Sequence, residues 1–412
     1  MDAVVIEGAR VILDDRIERA SVRIESGRIS GLDVACDGAA VIDARGRILA
    51  PAFVDIHGDA FERQIMPRPG VTVPIDAALL ETDRQLAANG IATAYHALTL
   101  SWEPGLRSVQ TGWDMLHALG RLRPRLTVEN RLQLRWETFC PEGIPLMAEA
   151  LAAKDAPSVA FNDHTSSALL HPSIALHDRP FDLVPDYPVT DLSTPAFRAK
   201  MDGRAKRSHM DLDAYVVLMM TVWNRRPRVG DDIAVVAAMA AERGAPMLSH
   251  DDSQTETRDF YRAHGAQIAE FPMHERVFLS AREKGDWIVL GAPNAMRGGS
   301  HLGSPGAAEM ITRGLCDILA SDYFYPAMLG AVVRLLADGV ASLPALWRLV
   351  SANPAAAMGL ADRGRIAPGQ RADLVLLDWP DQGMPAPIRT WVAGRGGYSA
   401  LPDAALHLAQ MA

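Results

Sequence analysis

The sequence predicts an α/β protein: a TIM-like (β/α)8 barrel carrying a small β-sandwich built from both chain ends. Three observations lead there. Eight short apolar runs follow one another through the middle of the 412-residue chain, most of them separated by amphipathic helical stretches; this alternation is the signature of repeated strand–helix units. Units of that kind, carried over ~250 residues or more, reach the scale of one closed barrel. Outside them, residues 1–50 and 360–412 have a different texture, with apolar positions alternating between Gly and Asp punctuation, as short strands and turns do.

In chain order, "AVVIEGARVIL", "RASVRIESGRISGL" and "AAVIDARGRILAPAFVDIHG" open the β unit. The eight barrel strands follow as "AFVDIHGD", "IATAYHALTL", "RLQLRWETF", "SVAFNDH", "PMLSHDD", "AQIAEFP", "WIVLGAPNAM" and "CDILASDY". Helices such as "IDAALLETDRQLAANG" lie between them, this one ending on a glycine placed to cap it. The connection from Thr165 to about Gly244 is too long for a plain loop; it reads as an insertion, at about 165–230, with two or three helices. "GRIAPGQRADLVLLDW" and "IRTWVAGRGGYSA" return to the β texture, so residues 51–359 form the barrel between the two halves of the sandwich.

The bulk numbers exclude several classes. A formal charge of −9 argues against a general nucleic-acid binder, whose affinity comes largely from a basic surface. Cys36, Cys140 and Cys316 form neither a CxxC pair nor an even framework, which fits a reducing cytoplasm. "MDAVVIEGAR" lacks a basic stretch ahead of an apolar one, so no signal peptide is expected. The apolar run "AYVVLMMTVW" falls far short of the ~20 residues a membrane span needs and reads as a buried helix. The expectation is a cytoplasmic enzyme without nucleic-acid or membrane partners; a homo-oligomer is left open.

If the barrel assignment holds, functional residues belong at the C-terminal ends of strands, and polar groups do collect there. Strand one ends in His57 and Asp59, strand three in Glu137, strand four in Asp163-His164, strand five in His250-Asp251-Asp252, strand six in Glu270 and strand eight in Asp322. A purely structural barrel has no use for so many carboxylates and imidazoles at one rim. Residues i and i+2 of a strand face one side, so His57 and Asp59 can reach one cation together. The expected metal set is His57, Asp59, Glu137, His250 and Asp322, holding one or two divalent ions, Zn²⁺ or else Mn²⁺, Fe²⁺ or Ni²⁺. Glu137 is the candidate bridge between two ions and His250 a ligand of the second; Glu129 and His264 compete for these places if the strand ends shift. Asp322 is the catalytic candidate, both touching metal and taking a proton from the attacking water. His164 and Glu270 stand between ligand, substrate contact and outer partner, and His96 at mid-strand reads as a core histidine.

Positive charge gathers beside this acidic set. Arg63 and Arg68 follow the first strand, and "APNAMRGGSHLGSPG" after strand seven offers Arg297, His301 and glycine backbone suited to an anion. These residues are candidate contacts for an anionic group of a substrate. Glu62 has no assigned role beyond a partner for one of those arginines or an outer ligand. The basic residues of the insertion, Arg198 to Arg228, are explained mostly by a solvated helix face.

At this point the chain resembles a known family. The split β unit, the strand-end ligands and "RGRIAPGQRADLVLLD" are similar to the amidohydrolase superfamily. "HGDAFERQIMPRPGV", "GIATAYHAL", "RLQLRWE", "NDHT", "LSHDDSQTE", "IAEFP", "GAPNAMRGGSHLG" and "DILASDYFYPAML" resemble its PhnM group, of the carbon–phosphorus lyase pathway, and Asp59 in place of a second histidine is similar to that group as well. The resemblance implies hydrolysis of α-D-ribose 1-methylphosphonate 5-triphosphate to the 5-phosphate and pyrophosphate, with His57, Asp59, Glu137, His250 and Asp322 at the metal and Arg63, Arg68, His164, Arg297 and His301 facing the phosphates. One segment departs from the group: after Asp163-His164-Thr165 the chain reads "SSALLHPSIALHDRPFDLVPDY" where a Gln- and Arg-bearing stretch is expected. That difference leaves room for an alternative, an amidohydrolase or deaminase acting on a C–N bond of a cyclic amide.

Overall fold

The structure, a computed structural model, describes residues 3–299, 303 and 305–400. Sixteen strands build two sheets. The N-terminal strands are β1 (Val4–Ile12), β2 (Ile17–Glu25), β3 (Arg28–Leu32), β4 (Ala40–Asp43) and β5 (Ile48–Pro51). The barrel strands are β6 (Phe53–Gly58), β7 (Ile91–Leu100), β8 (Glu129–Glu137), β9 (Ser158–Asn162), β10 (Met247–His250), β11 (Ile268–Glu270), β12 (Trp287–Gly291) and β13 (Ile318–Ala320). The chain then returns in β14 (Leu374–Asp378), β15 (Ala386–Val392) and β16 (Arg395–Ser399). All eight apolar runs read as barrel strands occupy those places.

Strands from the two chain ends join in one continuous, mostly antiparallel sheet, ordered β16-β15-β14-β5-β1-β2-β3 with β4 also on β1. The seam is the antiparallel pairing of β5 with β14, Pro51 opposite Leu374. β14 reads "LVLLD" and is apolar on both faces because it separates two cores. Leu374 and Leu376 pack with Ile6, Val22 and Trp391 inside the terminal unit, whereas Val375 and Leu377 pack with Phe53, Leu86 and Ile91 toward the barrel. A two-residue period dictates this division.

The barrel sheet is parallel throughout and runs in sequence from β6 to β13. It is nearly closed by a bridge between Gly58 and Asp322. There the Asp322 N–H donates to the His57 carbonyl and the Asp59 N–H to the Asp322 carbonyl, both at 2.9 Å. Below them the buried Asp55 carboxylate accepts from Ser321 N–H at 3.0 Å and Ser321 Oγ at 2.5 Å. Only glycine fits at 58, since a Cβ would lie 2.7 Å from Asp55 Oδ2 and 3.0 Å from Ser321 Oγ. Inside the barrel, Ile56, Tyr95, Ala160, Leu248, Ile268, Val289 and Ala320 form an apolar floor. Two residues further along their strands stand Asn162, His250, Glu270 and Asp322, so the strand period puts a polar layer directly above that floor.

The insertion contains helices Pro195–Arg207, Leu212–Trp223 and Arg226–Glu242, the first two N-capped by Thr194 and Asp211. The apolar run within the second does form a helix, but it buries one stripe, Tyr215, Met219 and Val222, and leaves Val217 66% exposed. No helix among the described residues is long and apolar enough to cross a membrane. The basic residues of this segment are paired locally, Arg198 with Asp213, Lys206 with Asp202, Arg204 with Glu103 and Arg225 with Glu142.

At the opposite end of the barrel, Glu129 opens β8 and accepts from Arg363 at 2.7 Å and from Arg371, both in the segment leading to β14. Burial works to raise its carboxyl, but Arg363, Arg371 and Arg131 outweigh it and hold the pKa at about 2, against an ordinary 4.5. A depressed carboxylate contributes stability that is complete above its unfolded-state pKa and is lost as pH falls through the folded value. Glu129→Gln is therefore expected to cost about 2–3 kcal/mol at pH 7. The gap in thermal midpoint from the parent protein should narrow as pH is lowered below about 4.5; a pH-independent gap would contradict this role.

Candidate metal centre

The rim above the polar layer is held in an unusual backbone conformation. Asp251, Phe271 and Asp322, just past β10, β11 and β13, have φ of 58°, 53° and 54°. Left-handed non-glycine residues are uncommon and collect at functional sites. These turns face one cavity of about 270 Å³, lined by His57, Asp59, Arg107, Arg135, His250, Asp251, Phe271, Asn294 and Asp322 among others.

Three sets of imidazole and carboxylate atoms converge there, each within 4.8 Å: His57, Asp59 and Asp322; His57, His250 and Glu270; His164, His250 and Asp251. The first offers one nitrogen and two oxygens, a donor set suited to a divalent ion such as Zn²⁺, Mn²⁺ or Fe²⁺. Its electrostatics also fit a cation. Burial pushes the Asp322 carboxyl up to about 6, the His57 and Arg135 charges oppose that, and neighbouring Asp59 and Asp251 reinforce it. Two carboxylates crowded together gain from a positive ion between them.

Glu270 orients the histidines. It is fully buried, with its oxygens 3.0 Å from His57 Nδ1 and 2.8 Å from His250 Nδ1, and it accepts from Gln133 Nε2 at 2.7 Å. Burial alone would raise its pKa, but the two imidazoles hold it well below the carboxylate range. The hydrogen bond to His250 Nδ1 leaves that ring's Nε2 with a lone pair for a cation or a donor, the usual work of a carboxylate behind a metal-binding histidine, while His57 Nδ1 faces the other carboxylate oxygen without a hydrogen bond.

The other sequence candidates are placed as follows. The Glu137 carboxylate is taken by His164, through Nδ1 at 2.7 Å and the backbone N–H at 3.0 Å, and by Asn162 Nδ2. It belongs to none of the converging sets among the described residues; its neighbour is His164 rather than a pair of ligand groups. Arg63 is exposed and donates to the Tyr323 carbonyl, Arg68 and Arg297 are exposed, and none of the three lines the cavity. Ser300 and His301 lie outside the described residues. Glu129 braces the opposite end, and His264 bonds the Phe260 carbonyl, so neither competes for the site. His96 is a buried core histidine on Asn130, at 2.7 Å.

Two arginines that do line the cavity were not foreseen. Arg107, on the loop after β7, makes a two-pronged pair with Glu62 at 2.9 and 2.8 Å, which gives Glu62 its partner. Burial works against its charge, but Glu62 outweighs that and holds its pKa above the ordinary arginine value. Arg135 reaches up from inside β8. The strand reads Arg131, Gln133, Arg135, Glu137 at every second position, all on the barrel's inner face, while Leu132, Leu134 and Trp136 pack outward. A polar two-residue series in a fully apolar-flanked strand was the available signal.

Known proteins share features with this chain. A profile of the Amidohydrolase family matches residues 212–396. The chain is 28% identical over 395 residues to the α-D-ribose 1-methylphosphonate 5-triphosphate diphosphatase of Escherichia coli (strain K12), covering 92% of this chain and 96% of that protein. The chain is thus similar, along nearly its whole length, to a protein of the amidohydrolase superfamily.

Among other superfamily members, an adenine deaminase of Methylobacterium sp. (strain 4-46) is 25% identical, over 89% of this chain and 56% of that protein. A D-hydantoinase from a Bacillus sp. AR9 superposes with a TM-score of 0.60 at 13% identity, covering 96% of this chain and 95% of that one, which shows the shared amidohydrolase fold. The protein is thus a hydrolase similar in sequence and fold to amidohydrolase-superfamily enzymes.

Proposed function

We propose that this hydrolase splits a phosphoric anhydride, taking α-D-ribose 1-methylphosphonate 5-triphosphate to the 5-phosphate and pyrophosphate. The observation that carries the reading is the pairing, on one cavity wall, of the His57–Asp59–Asp322 set with the guanidinium groups of Arg107 and Arg135. An amide substrate is neutral and needs no such cations; a triphosphate needs several. The similarity along nearly the whole chain to the Escherichia coli diphosphatase supports the same substrate.

In this reading His57, Asp59 and Asp322 hold a divalent ion, which when bound would polarise water and a phosphoryl oxygen. Asp322 takes the proton of the attacking water. The water oxygen bonds to phosphorus, the bridging P–O bond toward the second phosphate breaks, and pyrophosphate leaves. Arg107 and Arg135 balance the charge on the phosphoryl oxygens as it shifts to the leaving group, the work such groups do in phosphoryl transfer. Glu270 keeps His57 in place, and Glu137 does the same for His164 at the cavity edge.

Incubating the metal-loaded protein with the ribose phosphonate triphosphate and following pyrophosphate tests this; pyrophosphate should appear in step with substrate loss. No release, alongside turnover of cyclic amides, would reject it. Arg107→Met is expected to lower kcat/KM for the triphosphate by roughly 10²-fold, with kcat falling as well as KM rising, read by steady-state kinetics. The second reading, C–N hydrolysis, draws on the altered loop after Thr165. Its Arg179 is buried on Asp182 and the Asp251 carbonyl and does not line the cavity, so this loop adds no cation for a phosphate.

A further inference from the structure

We propose that Arg135 occupies the position of a second cation, so that this enzyme works with one divalent ion where its ligand groups would otherwise hold two. The inference rests on the reading that His57, Asp59 and Asp322 bind the first ion. His164, His250 and Asp251 form a separate set of possible ligands, their atoms within 4.8 Å of one another. The Arg135 guanidinium fills it. Nη2 lies 2.7 Å from His250 Nε2 and 3.5 Å from His164 Nε2, and Nη1 lies 3.9 Å from Asp59 Oδ2. Asp251 Oδ2 closes the group at 3.5 Å from His250 Nε2 and 4.0 Å from His164 Nε2.

These contacts exclude a metal ion for two reasons. His250 is bound to Glu270 through Nδ1, so its Nε2 carries the ring's lone pair, and Arg135 already uses it. An ion on that nitrogen would sit about 2.0–2.1 Å away, inside the space of the guanidinium. The guanidinium also carries a fixed positive charge, which repels a second cation at that point. The side chain is only 8% exposed and is hemmed in by the strand it grows from. Asp59, which faces the first ion on one side and Arg135 on the other, then stands where a carboxylate shared by two ions would stand.

The test counts metal. Purified protein reconstituted with Mn²⁺ and freed of excess ion should hold one Mn per chain by elemental analysis, with the spectrum of an isolated ion by electron paramagnetic resonance. Arg135→Met removes the charge while keeping much of the length, and should bind two Mn per chain with a broadened, coupled signal. Adding His250→Ala to that variant should return the count to one. Two ions in the parent protein, or one in a folded Arg135→Met, overturns the proposal, and Arg135→Gln serves if the methionine variant does not fold. If no Arg135 variant folds, the parent count alone decides, one for and two against. No metal at all would instead overturn the assignment of the first site.

Discussion

His57→Ala is expected to strip the protein of its divalent ion and of hydrolysis together. His57 supplies the one nitrogen of the converging set and is 1% exposed, so no other side chain swings in to replace it. Loss of a partner behind a ligand costs about 10–100-fold in metal affinity, and loss of the ligand itself should exceed that. The fold should survive, because the barrel is closed by the backbone of residue 57 and by Asp55, not by the imidazole. Metal content and circular dichroism on the same sample check both halves. A folded variant with full metal and full activity would remove His57 from the site.

Asp322→Asn is expected to lower kcat by about 10²–10⁴-fold, the range for losing a positioned general base, with a smaller change in KM. Asparagine suits this probe. It tolerates the left-handed backbone at 322, where φ is 54°, and leaves intact the two main-chain bonds that tie Asp322 to His57 and Asp59. Asparagine is a weaker ligand than aspartate, so the variant is assayed at saturating metal; one that keeps its thermal midpoint and its ion there yet loses turnover places the loss in proton transfer. One that turns over at the parent rate takes that role away from Asp322.

The barrel was legible because most of its strands are short apolar runs closed by polar residues, as burial on both faces demands, with β8 the exception in its polar inner face. His57, Asp59 and Asp322 come together for a related reason: a strand end is a place whose neighbours topology already fixes. Arginine obeys no such rule. Arg63 and Arg68 stand near the metal strand in sequence, but they fall on its exposed outer loop, whereas Arg107 comes in from the next unit, 45 residues from its partner Glu62. A long side chain reaches farther than the spacing along a chain can show. Glu137 ends its strand as expected, but the β9 end beside it supplies Asn162 and His164, which take both its oxygens. Which of two adjacent strand ends claims a carboxylate depends on barrel stagger, and that is not written in one sequence.

The seam between β5 and β14 has a consequence for how the protein is made. Pro51 and Leu374 are opposite in space but roughly 320 residues apart in the chain, and a ribosome adding about 5–20 residues per second takes at least ~16 s to span that distance. Through that interval β5 has an unpaired edge, which in a growing chain is a template for pairing with another copy. The terminal sheet is therefore the last part able to finish and the part most exposed to crowding during synthesis. Truncations that remove β14 should do more harm to yield than to the barrel's chemistry, since the catalytic rim is at the far end from the seam's arginine brace at Glu129.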